Sequence, residues 1–181
     1  VQSILSARLL GILGFGILGV VIEFATNINR LLSFRMGELV VRYMGQYLSE
    51  GRSDRAAAVF KASVLLESVS SVLAYLLLVL LAPAAALHIV KDPASAALIS
   101  FYALALLGNF ATESSTGFLQ VTDRFRSQAL INFIQSLLTA GLVIYAFLVQ
   151  GDIRMVLGAY LAGKGFNGLT LAGYAFWRAG R

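Results

Sequence analysis

Apolar runs of about twenty residues recur along this chain, separated by short polar breaks, and that rhythm leaves few folds open. A helix of that length rises roughly 30 Å, the thickness of the hydrocarbon layer of a bilayer. Inside that layer each backbone polar group must be paired within its own segment, which favours helices. The runs fall near residues 9–33, 55–82, 94–120, 127–149 and 153–178. They predict an all-α polytopic membrane protein with about five transmembrane helices. Composition agrees, with 59% hydrophobic and 13% charged residues, whereas soluble domains are about 25% charged.

In a soluble chain a net charge of +5 would point to nucleic acid. Here the basic residues sit in the gaps between apolar runs, so topology accounts for them and no nucleic-acid partner is expected. Alternate connections hold Arg35, Arg42, Arg52, Arg55 and Lys61, then Arg124 and Arg126, then Arg178 and Arg181. The other connections hold only Arg8, Lys91 and Arg154. The positive-inside rule places the first set in the cytoplasm. With no cysteine and a single histidine, His88, disulfides and thiolate metal sites are excluded. The first residue is Val1, and residues 2–8 are too short for a signal peptide. They read as the tail of a preceding helix in a longer protein.

Turn chemistry marks the boundaries. Gly11 and Gly14 suit either close helix packing or the turn that opens the first span. The polar break at residues 49–54 precedes a helix for which Ser53 is the expected cap. Pro83 is expected to interrupt that helix and leave a short interfacial piece at residues 84–90.

The stretch at residues 23–46 carries the most unusual pattern. At about 100° per residue, Glu23, Asn27, Arg30 and Glu38 fall within an arc of roughly 80°, bordered by Arg35 and Arg42. Read as one helix continuing to residue 48, it would present a charged stripe to a polar cavity. Charges at bilayer depth are costly unless they face water or a bundle interior. The alternative is a span ending near Leu32 and followed by an amphipathic surface helix.

Further polar stripes cross the later spans. Asn109, Glu113, Thr116 and Gln120 share one face of the third, and Asn132, Gln135, Ser136 and Thr139 one face of the fourth. Lys164 and Asn167 lie on the fifth. The amides and hydroxyls read best as hydrogen-bond glue between helices. Glu113 and Lys164 either pair with each other or bind substrate or a proton. Glu67 reads as a solvated residue close to the cytoplasmic end. No phosphate loop, metalloprotease pair or catalytic triad is present, so a transport protein rather than an enzyme is expected.

The runs Ala7-Arg8-Leu9-Leu10-Gly11, Gly14-Phe15-Gly16 and Asn29-Arg30-Leu31-Leu32-Ser33-Phe34-Arg35 resemble the opening of polysaccharide-biosynthesis flippases. So do Glu38-Leu39-Val40-Val41-Arg42-Tyr43, the break from Gly51 to Arg55, and the stretch from Leu119-Gln120 to Arg124-Phe125-Arg126. Those flippases belong to the multidrug/oligosaccharidyl-lipid/polysaccharide exporter superfamily. Where relatives often carry a proline and an acidic residue after Gly11, this chain has Ile12 and Leu13. The resemblance implies a two-bundle flippase fold, with residues 1–181 forming most of one six-helix bundle. It implies a multi-pass protein of the bacterial or archaeal cytoplasmic membrane. The function implied is alternating-access flipping of an undecaprenyl-pyrophosphate-linked glycan, with membrane lipids and the polysaccharide assembly machinery as partners. Arg30, Arg35 and Lys164 would then hold the anionic headgroup, and Asn27, Asn109 and Gln135 would bond sugars. Glu23, Glu38 or Glu113 would act in coupling to H⁺ or Na⁺ or as a gate, with no other cofactor. The alternatives are a multidrug/cation antiporter of the same superfamily, which wants an acidic cavity, and a membrane-embedded lipid-phosphate transferase.

Overall fold

A computed structural model describes residues 2–179. Arg181, placed by the sequence in the last basic connection, lies outside the described residues. No strand occurs among them. Helix α1 (Gln2–Leu32) opens with a kink at Gly11, whose φ of 69° is easy only for glycine. Gly11 thus belongs to the turn that opens the first span. Three residues, Ser33, Phe34 and Arg35, then break the helix. It resumes as α2 (Met36–Leu39), a π-helical turn (Val40–Met44) and α3 (Gly45–Ser49).

Helix α4 (Ser53–Ala85) passes through Pro83 and continues as a π-helical turn (Ala86–Val90). The expected interruption at Pro83 does not occur: the helix runs through it and only widens afterwards. The expected Ser53 cap is not made either: Ser53 is itself the first helical residue, and no side chain caps that end. The next span is split into α5 (Ser95–Leu107) and α6 (Thr112–Val121) by a turn at 108–111. Helices α7 (Phe125–Leu148) and α8 (Ile153–Ala179) complete the bundle.

Among the described residues, four segments are long and apolar enough to cross a membrane: Gln2–Ser49, Ser53–Val90, Ser95–Val121 and Phe125–Leu148. Helix α8 is long enough but interrupts its apolar surface with Lys164 and Asn167. It packs against α7, α5 and α6.

Two apolar cores hold the bundle. Leu18, Val21 and Ala25 of α1 pack with Leu78, Ile99, Tyr102 and Val156 in the first. Val40 and Met44 pack with Phe60, Phe118, Leu119 and Leu171 in the second. Between them, three of the contributing segments change character. Helix α4 carries Glu67, Ser70 and Ser71 there, α1 ends at Ser33, and the third span breaks. The candidate site occupies this polar layer.

Candidate functional site

Broken helices leave backbone groups without partners, and in a membrane water does not supply them. The α6 N-terminus begins after Ala111, which carries no side-chain acceptor. Glu67 of α4 does that work from another helix. Its Oε1 accepts the N–H of Glu113 at 2.7 Å and its Oε2 the N–H of Ser114 at 2.8 Å. A carboxylate there also meets the positive end of the helix dipole. The next residue, Ser68, donates from its hydroxyl to the Phe110 carbonyl at 3.0 Å. Adjacent residues of α4 therefore reach the start of α6 and the turn before it, with the Ser68 hydroxyl shared with the Val64 carbonyl of its own helix at 2.8 Å.

The break after α1 joins the same network. The Ser33 hydroxyl donates to Glu113 Oε1 at 2.6 Å and accepts the Arg35 N–H at 3.3 Å. Arg35 holds φ 52° and ψ 46°, a left-handed conformation that costs a side-chain-bearing residue energy. Its guanidinium pairs with Glu38 at the surface.

Close backbone approach fixes the two breaks against their neighbours. A Cβ at Gly117 would lie 2.6 Å from the Gly37 carbonyl oxygen, and one at Gly168 only 1.7 Å from that of Gly108. Only glycine lets the segment after Ser33 cross α6, or lets α8 seat on the 108–111 turn.

Two spaces flank Glu113. One is a cavity of about 220 Å³ lined by Asn29, Ser33, Glu67, Ser70, Ser71, Asn109, Thr112 and Glu113, with Leu32, Phe34 and Met36. The other is an open groove of about 540 Å³ lined by Arg35, Glu38, Arg42, Thr116 and Gln120 among others. Glu113 borders both.

The residues singled out from the sequence separate into groups. Asn109 and Glu113 line the cavity, and Arg35, Glu38 and Glu113 the groove. Glu23, Asn27 and Arg30 are exposed on α1, opposite its buried Leu18, Val21, Ala25 and Ile28. They line neither space. The single charged stripe over residues 23–46 is therefore split, because the Ser33–Arg35 break reorients the helix beyond it. Gln135 donates to the Thr139 hydroxyl on its own helix at 3.1 Å, a bond within α7 rather than the expected one between helices. Lys164 does not pair with Glu113; its ammonium lies over the Tyr102 ring, 5.6 Å from the centroid. Glu67 is not solvated: it is 7% exposed, with both oxygens committed to α6.

Six polar residues of the cavity escaped the sequence reading: Glu67, Ser33, Asn29, Ser70, Ser71 and Thr112. A signal for the first was present. Ser63, Glu67, Ser70 and Ser71 repeat at helical spacing inside an otherwise apolar span, and all four are buried.

No curated protein and no solved structure matches the chain. A model of the polysaccharide biosynthesis protein family matches residues 1–181. That match agrees with the resemblance carried by the motifs around Arg30, Arg35 and Arg42. With its long apolar helices, this chain is a membrane-embedded member of the polysaccharide biosynthesis protein family.

Proposed function

We propose that the chain is part of a flippase that carries a lipid-linked polysaccharide precursor across the cytoplasmic membrane by alternating access. The observation that carries this reading is the exposed face of α1. Glu23, Asn27 and Arg30 stand together within a membrane-spanning helix, turned away from the bundle's own core. Charges at that depth call for a polar counterpart rather than lipid tails. A translocation path along this face supplies one, while the lipid tail of the substrate stays in the bilayer.

The headgroup of such a substrate is a pyrophosphate carrying sugars. Arg30 on this face and Arg35 in the groove offer guanidinium forks suited to bidentate phosphate contact. Asn27 would bond sugar hydroxyls beside them. The basic end of the bundle, with Arg35, Arg42, Arg52 and Arg55, would face the cytoplasm, where the precursor is loaded. A multidrug/cation antiporter would instead want an acidic face for its cationic cargo, whereas here Arg35 and Arg42 balance Glu38 and Glu113 in the groove.

The test is export in cells lacking the native gene for the protein that carries this chain. Arg30→Ala and Arg35→Ala should each abolish surface polysaccharide while membrane protein levels stay normal. Normal export in both single variants overturns the headgroup assignment.

A further inference from the structure

We infer that the corner where the start of α7 meets the end of α8 binds an anionic phospholipid of the cytoplasmic leaflet, its phosphate held by Arg124 and Arg178 and its acyl chains lying on the apolar faces beside them. The site does not depend on which molecule the protein transports. None of its residues lines the cavity or the groove beside Glu113.

Charge at this corner is left without a counterpart. Among the described residues the ion pairs are Arg35 with Glu38 and Arg52 with Glu50, both on other elements. Arg124, Arg126 and Arg178 are in neither. Asp123 is the one carboxylate beside them in the chain, so three arginines leave the corner net positive. An anion is what such a surface attracts.

The geometry holds that charge in place. The hydroxyls of Ser127 on α7 and Tyr174 on α8 share a hydrogen bond at 3.0 Å, which ties the two helix ends together. Arg178, one turn beyond Tyr174, lies over two rings, 5.9 Å from the centroid of Tyr174 and 4.9 Å from that of Trp177. Contact with two aromatic faces fixes the guanidinium plane, so less freedom is lost when it clamps a phosphate. Its Nε has no hydrogen-bond partner. Arg124 lies within electrostatic reach of the same Tyr174 hydroxyl.

Depth selects a lipid over a soluble anion. Tyr174 and Trp177 stand at the end of a span, the level at which aromatic side chains meet headgroups. Towards the bilayer centre the outer faces of both helices are apolar and exposed, with Leu130, Phe133 and Ile134 on α7 and Leu169 and Phe176 on α8. Those side chains suit acyl chains, as the arginines suit a phosphate. The positive-inside rule puts this end at the cytoplasmic leaflet, where anionic lipids are drawn to clustered basic residues. Bound there, the lipid would anchor the α7–α8 hairpin to that leaflet.

The experiment reads lipid contact, not export, so its outcome is separate from that of the headgroup assignment to Arg30 and Arg35. The full-length protein that carries this chain is placed in phosphatidylcholine nanodiscs containing phosphatidylglycerol. Brominated acyl chains on one lipid or the other quench nearby tryptophan, and the difference between wild type and Trp177→Phe isolates Trp177. At equal mole fraction, brominated phosphatidylglycerol should quench Trp177 more strongly than brominated phosphatidylcholine. Arg178→Gln and Arg124→Gln should each lower that preference about fivefold, the contribution of one basic residue at an anionic surface. Lys61→Gln, the same change of charge at the same membrane face, should leave it unchanged. If Arg178→Gln does not fold, Arg124→Gln and the wild-type comparison decide the matter. Equal quenching by the two lipids, an equal loss in Lys61→Gln, or displacement of phosphatidylglycerol by free glycerol phosphate each overturns the proposal.

Discussion

Glu67 accepts the backbone N–H of Glu113 at 2.7 Å, although 46 residues separate the two in sequence. With the second bond to Ser114, one side chain of α4 serves as the N-cap that Ala111 is unable to provide. Removing it strands two N–H groups in a buried layer, at about 1–3 kcal/mol each. Glu67→Ala should therefore lower stability by roughly 2–6 kcal/mol. Glu67→Gln keeps one acceptor and opposes a donor to the other N–H, so it should be intermediate. Thermal unfolding in nanodiscs checks the order. A wild-type midpoint for Glu67→Ala would show that α6 begins without this cap.

Ser33 and Glu113 join the two breaks through one short hydrogen bond. A hydrogen bond to a charged group contributes about 1.5–3 kcal/mol. A double-mutant cycle of Ser33→Ala and Glu113→Ala should return a coupling in that range, and residues without shared contacts a coupling below about 0.5 kcal/mol. Additive losses would mean that the breaks are held independently.

The glycine contacts give a graded expectation. Gly168→Ala forces a methyl within 1.7 Å of the Gly108 oxygen, and Gly117→Ala one within 2.6 Å of the Gly37 oxygen. Backbone on both sides leaves little room to yield, so each should cost at least the ~1–3 kcal/mol of an overpacked core, with Gly168→Ala the worse. At Gly141 and Gly173 a Cβ meets nothing within 4 Å. Alanine there should be neutral or slightly stabilising. Folded yield and thermal midpoint across the four variants test the ranking.

Legibility in the sequence depended on which signals are local. Apolar run length and turn residues marked the helices, because those features act within one segment. The breaks were hidden by their own periodicity. Asn109 and Glu113 sit at helical spacing across a turn that is not helical, and Glu23 to Arg42 keep a stripe across a left-handed Arg35. Pattern alone carries straight through such points. Glu67 looked solvated because its burial is set by the start of α6, a partner far along the chain. The family motifs around Arg30 and Arg35 pointed to a substrate path, yet the structure parts these two residues between an exposed helix face and a groove.

Arg35 separates a backbone role from a charge role. Its left-handed conformation costs a residue with a Cβ about 1–2 kcal/mol, which glycine avoids at a smaller entropic cost. The lost pair with Glu38 matters little, because both side chains are exposed and such pairs contribute about 0–1 kcal/mol. Arg35→Gly should thus be more stable than Arg35→Ala by up to about 1 kcal/mol, since alanine keeps the strain and loses the charge. If the guanidinium holds an anionic headgroup, both variants should fail in export despite that difference in stability. Equal stability would remove the strained turn from the account. Export surviving in Arg35→Gly would show that the position serves the helix break and not the substrate.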